Sequence, residues 1–104
     1  MDYPGIGPQL AHLGKTGRVE FQRASDAEAL QAVKFFAANE GLVFALESAH
    51  AAAAAMRLAP ALPPNKALVV NMSGRGDKDI FIMARALDEK NWKTFLSEEI
   101  ARHE

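Results

Sequence analysis

The chain has 104 residues, 49% of them apolar and 24% charged, with a net charge of −1 and no cysteine. That length is one domain's worth of sequence, enough to bury a core while much of the surface stays in water. The near-neutral charge gives no electrostatic basis for binding nucleic acid or an anionic membrane, and the lack of cysteine excludes disulfides and thiolate metal sites.

The first segment, Asp2-Tyr-Pro-Gly-Ile-Gly-Pro8, holds two prolines and two glycines and reads as a loop. It has neither the basic nor the apolar region of a signal peptide. No later apolar run approaches the ~20 residues of a membrane span, so a cytoplasmic chain is expected. Gln9 to Lys15 is given one or two helical turns ending near Gly14 or Gly17. Val19-Glu-Phe-Gln-Arg23 alternates apolar and polar residues and predicts a strand.

Ser25-Asp-Ala-Glu28 is a capping box, a serine N-cap with a carboxylate three residues on. The helix it opens would carry Ala27, Leu30, Val33, Phe36 and Ala37 on one face, with Gly41 placed to end it. Leu42–Leu46 is then a short buried strand, and Glu47-Ser-Ala-His50 leads into the alanines 51–55 and a helix suited to close packing on a sheet. Pro60, Pro63 and Pro64 end it.

Lys66 to Asp79 organises the rest. Ala67-Leu-Val-Val-Asn71 predicts a buried strand, Ser73-Gly-Arg-Gly-Asp77 a glycine-rich loop, and Ile80, Met83, Ala84 and Leu87 the face of a helix. A last helix would place Trp92, Phe95, Leu96 and Ile100 on one stripe. The order β-α-β-α-β-α-α predicts one α/β unit over residues 1–104. It would be a small parallel sheet with helices packed on it, part of a three-layer αβα fold. The strands near 19–23, 42–46 and 67–71 would be parallel, with Glu47 and Ser73 at one carboxyl edge, where ligands bind in such sheets.

Several residues are candidates for chemistry. Glu47 and His50 stand at i and i+3, the spacing of a carboxylate–histidine metal pair, but a di-metal site needs a second copy and the chain has one. Glu47 also reads as a first-turn carboxylate favoured by the helix dipole, and His50 as a surface or hydrogen-bonded histidine. Ser73 lacks the Gly-x-Ser-x-Gly elbow of a nucleophile, because Asn71 stands two residues before it. As a hydrogen-bonding hydroxyl it remains a candidate. Arg75 and Lys78 can attract an anion, yet the loop is not a Walker-type phosphate loop.

Four blocks, Asp2-Tyr-Pro-Gly-Ile-Gly-Pro8, Gly17-Arg-Val-Glu20, Ala45-Leu-Glu-Ser48 with His50, and Asn71-Met-Ser-Gly-Arg-Gly-Asp-Lys-Asp79, together resemble the C-terminal part of the tryptophan synthase β-chain family. They stand in the family's order and close to its spacing across residues 2 to 87. The family is one of fold-type II pyridoxal-phosphate enzymes; it joins indole to the β-carbon of L-serine, and an α chain supplies the indole.

The resemblance implies that Ser73 hydrogen-bonds the pyridine nitrogen of the cofactor, with Gly74 beside it, and that Glu47 lies next to the ring. Asp2 would sit at the mouth of the site as a substrate-loop residue. The backbone carbonyls of Tyr3 and Gly5 would help bind a monovalent cation. Phe44 and Ala49 depart from the residues many relatives carry there, without touching an assigned role. The family's cofactor-bearing lysine, catalytic glutamate and phosphate-binding loop all lie upstream of the Asp2 block, and no lysine here occupies such a motif.

Two readings follow. One is a segment of a pyridoxal-phosphate lyase, about the last quarter of the enzyme, that works with the upstream part of the β chain. The other is a non-catalytic α/β module for binding or assembly. The chain alone is expected to form homo-oligomers.

Overall fold

The structure is a computed structural model that describes residues 5–103. Five helices follow one another: α1 (Pro8–Lys15), α2 (Asp26–Glu40), α3 (Leu46–Leu58), α4 (Ile80–Leu87) and α5 (Glu89–His103). Short 3₁₀ turns span Ala59–Ala61 and Asp77–Asp79.

Pro8 opens α1 at its first turn, where the fixed φ of proline suits a helix and its missing N–H costs nothing. The Thr16 hydroxyl closes the helix by donating to the carbonyls of His12 and Leu13 at 3.1 and 3.2 Å.

The capping box that opens α2 is complete. The backbone N–H of Ser25 donates to Glu28 at 2.7 Å, and the Ser25 hydroxyl accepts from the Glu28 N–H at 3.3 Å. At the other end Gly41 adopts φ +66°, the left-handed conformation that glycine takes without penalty, and its N–H returns to the Phe36 carbonyl. Arg57 of α3 reaches the start of α2, donating to Glu28 at 3.0 Å and to the Arg23 carbonyl at 2.7 Å. Ser25→Ala removes the hydroxyl half of the box and with it one of the bonds that hold Glu28. The expected loss is ~1 kcal/mol, or roughly 4–8 °C in Tm for a chain of this size, read by far-UV circular dichroism.

The core is a seam of small side chains. Ala29, Ala32 and Val33 of α2 meet Ala49, Ala52 and Ala53 of α3, with Phe44 and Met83 closing the ends. Phe36 packs edge-on to Phe44 at 5.7 Å, and Met72 lies against the same cluster. The buried face of α2 is therefore rotated from the predicted one: Val33 and Phe36 belong to it, but Ala27 and Ala37 are exposed. The alanines of α3 select the smallest face of α2, because small side chains let two helices approach closely.

The parallel sheet is not there. Among the described residues no strand forms at 19–23, 42–46 or 67–71, so the α/β and three-layer αβα readings are both overturned in favour of a helical chain. The physical reason is partnership. Parallel strands are stable when covered on both faces and paired at their edges. Here α3 packs on α2, and the three segments run beside helices without pairing with one another. Residues predicted as a buried strand stay in solvent: Leu42 and Val43 are each 51% exposed and Val69 is 91% exposed.

The aromatic stripe of α5 forms, but at the surface. Trp92 stacks on Phe95 at 5.6 Å and meets Phe81 of α4 at 5.6 Å, while Phe95, Leu96 and Ile100 stay exposed. The molecule is correspondingly extended. Its radius of gyration is 17.4 Å, against ~13 Å for a compact domain of about this length. Among the described residues no helix is long and apolar enough to cross a membrane.

Candidate functional site

The loop at 73–79 is seated on the segment that leads into α3, and its two glycines are needed for different reasons. Gly74 has φ +76°, and a Cβ there would stand 3.0 Å from the Ala45 Cβ. Gly76 has ordinary helical dihedrals, φ −85° and ψ −20°, but a Cβ would come within 2.7 Å of the carbonyl carbon and oxygen of Val43. Gly76 is glycine for space.

Three side chains fasten this seat. Asp79, buried, accepts the N–H of Leu46 at 3.0 Å and so satisfies the first donor of α3, whose own N-cap Ala45 has no side chain able to do it. Lys78 donates to Asp79 at 2.7 Å and to both oxygens of Glu47 at 3.0 and 3.2 Å. Ser48, buried on α3, donates to the carbonyl of Ser73 at 2.5 Å, and its oxygen lies 3.2 Å from the Ser73 hydroxyl.

The electrostatics follow this wiring. The Lys78 ammonium and then the Leu46 N–H hold the Asp79 carboxyl below its ordinary 3.8. Glu47 is likewise lowered, by its own backbone N–H and then by Lys78, while Lys78 is raised by Asp79 and then Glu47. Because Asp79 is depressed in the folded chain, its contribution is fully present above its unfolded value of 3.8 and is lost as pH falls through the lower folded value. The Leu46 amide proton should therefore titrate by NMR with an apparent pKa below 3.8. In Asp79→Asn that titration should vanish while the hydrogen bond to Leu46 survives on the amide oxygen.

The predicted site residues separate into groups. Ser73, Gly74 and Glu47 come together: Ser73 touches Ser48, the neighbour of Glu47, and Lys78 of the same loop holds Glu47. Gly5 is exposed ahead of α1, with open space around its Cα. Asp2 and Tyr3 lie outside the described residues. The Glu47–His50 pair is not a metal site, because His50 turns to Asp26 at 3.2 Å and to the Leu46 carbonyl at 3.2 Å. Among the described residues no group of three His, Asp or Glu side chains can hold a metal ion. Arg75 is paired with Asp77 at 2.5 and 2.7 Å rather than held free for an anion.

A cleft between the starts of α2 and α3 and the face of α4 is lined by Asp26, Leu46, Glu47, His50, Asp79 and Ile82. Glu47 faces it, whereas Ser73 and Gly74 do not line it. Sequence reasoning passed over Ser48 and Asp79. The signal for Ser48 was a small polar residue beside the alanines of the buried face, and for Asp79 an α3 start with no capping residue of its own.

No family model matches the chain. Over 102 residues it is 63% identical to the tryptophan synthase beta chain of Helicobacter hepaticus, covering 98% of this chain. The chain spans 24% of the length of that curated relative, within its C-terminal part. Identity at that level over nearly the whole chain shows that it belongs to the tryptophan synthase beta chain family.

Proposed function

We propose that this chain supplies the cofactor-ring side of the active site of a pyridoxal-phosphate lyase that joins indole to the β-carbon of L-serine, giving L-tryptophan. The observation that carries the reading is the 63% identity to a tryptophan synthase beta chain across 98% of the residues.

The chemistry of three residues suits the ring of such a cofactor. Ser73, an exposed residue, offers a hydroxyl, Gly74 adds no side chain beside it, and Glu47 brings a carboxylate kept ionised by its own backbone N–H and then by Lys78. Bound pyridoxal phosphate supplies an electron sink for bonds at the α-carbon of an amino acid. The Ser73 hydroxyl donates to the ring nitrogen without giving up its proton, because an alcohol is too weak an acid. A neutral partner there tempers the pull of the ring, which suits replacement at the β-carbon better than transamination. Glu47 sets a fixed negative charge next to the ring, and Lys78 keeps it from wandering.

Asp2 sits at the mouth of the site in this reading, and the carbonyls of Tyr3 and Gly5 contribute to a monovalent-cation site. The lysine that carries the cofactor and the cradle for its phosphate come from the upstream part of the β chain. An α chain supplies the indole, and the working form is an oligomer.

The test uses a full-length β chain carrying this segment. Ser73→Ala should bind the cofactor about fivefold more weakly, the worth of one hydrogen bond of ~1 kcal/mol. Retention is read as cofactor absorbance remaining after dialysis. A Ser73→Ala enzyme with unchanged retention, spectrum and turnover would remove Ser73 from the ring and leave the segment a scaffold.

A further inference from the structure

We infer that Ser48 is a positioning residue for Ser73, fixing where the Ser73 hydroxyl oxygen stands. The inference rests on the reading of Ser73 as the partner of the cofactor's ring nitrogen, and it adds a residue that has no role of its own in that reading.

Ser48 is on the first turn of α3 and only 6% exposed. Its hydroxyl crosses to a loop 25 positions away, donating to the Ser73 carbonyl at 2.5 Å. A carbonyl can only accept, so the single proton of Ser48 is committed there. The 3.2 Å contact between the two hydroxyl oxygens must then take its proton from Ser73.

Ser73 is therefore held twice by one side chain, at its backbone and at its hydroxyl. A turn about the Cβ–Oγ bond swings the Ser73 proton from Ser48 to an acceptor in front of it, and the bond from Ser48 to the Ser73 carbonyl still holds the residue in place. Gly74, at φ +76°, follows directly, so Ser48 holds the chain just before its left-handed turn. Lys78 and Asp79 fasten the far end of the loop, and Ser48 fastens the near end.

The experiment compares Ser48→Ala, Ser48→Cys and Ser48→Thr with Ser73→Ala in a full-length β chain loaded with cofactor labelled with ¹⁵N in the ring. Ser48→Ala should move the ring-nitrogen resonance toward its position in Ser73→Ala and cost part of the roughly fivefold retention lost in that variant. Ser48→Thr, which keeps a hydroxyl, should restore both. Ser48→Cys nearly conserves volume but donates weakly, so it should fall on the side of alanine, and it decides the matter if the alanine variant does not fold. Ser48→Ala in the Ser73→Ala background should add nothing.

If Ser73→Ala moves the resonance while Ser48→Ala and Ser48→Cys leave it and the retention unchanged or improved, the role of Ser48 is overturned. If Ser73→Ala itself moves nothing, the reading on which the inference rests has failed instead.

Discussion

Gly76→Ala should dislodge the 73–79 loop from the entry to α3, with a net loss of about 1–3 kcal/mol. Two effects oppose each other. Alanine accepts the observed φ −85° and ψ −20° freely, and by restricting the unfolded chain it would stabilise by about 0.4–1 kcal/mol. Its Cβ, however, would lie 2.7 Å from the carbonyl carbon, the carbonyl oxygen and a methyl of Val43. Two of those atoms are backbone and cannot rotate aside, so the loop or the 43–45 segment must move, and the steric term wins.

The same reasoning separates the two glycines. Gly74→Asn should be milder than Gly74→Ala, because asparagine tolerates the left-handed region better, whereas at Gly76 asparagine should be no better than alanine. The denaturation midpoint gives the order, and the amide shifts of Leu46 and Ser48 report whether the seat has opened. A Gly76→Ala chain at least as stable as the parent, with those shifts unmoved, would mean that the loop is not seated as described.

What could be read beforehand was what neighbours in sequence decide. The Ser25–Glu28 box and the Gly41 stop are local chemistry, and α2 begins and ends where they stand. The helices 80–87 and 89–103 follow from their apolar periods in the same way. The strands failed because pairing is not local. An apolar run such as Leu68-Val-Val70, with its two β-branched valines, announces extended backbone and states nothing about what lies alongside it. The face of α2 was misjudged for a related reason: Leu30 and Ala27 fit a helical stripe as well as Ala29 and Ala32 do, and only the alanines of α3 choose between them.

The site shows the same division. Ser73 and Glu47 stood out by motif. Ser48 and Asp79 act across 25 and 33 positions, and no spacing rule foretells a serine that holds a distant loop or an aspartate that caps a distant helix.

The isolated 104-residue chain should not stay monomeric at high concentration. A compact monomer of 11.3 kDa exposes about 5,700 Å² by the size scaling of folded proteins, whereas this chain exposes 8344 Å². The excess, ~2,600 Å², exceeds what a standard protein interface hides in total. Large apolar side chains are exposed on it: Ile80, Phe81, Ile82 and Leu87 on α4, Phe95, Leu96 and Ile100 on α5, and Val69, which is 91% exposed. Surfaces of this extent are rare on stable monomers and mark places where another polypeptide packs.

Net charge does little to resist association, standing at −1 for the whole chain. Sedimentation velocity should thus show dimers or larger species growing with concentration, and Phe81→Lys together with Ile100→Lys should shift the distribution back toward monomer. A single monomer boundary at the highest attainable concentration, from a chain with the helical circular dichroism of this fold, would show that the exposed apolar faces drive no self-association.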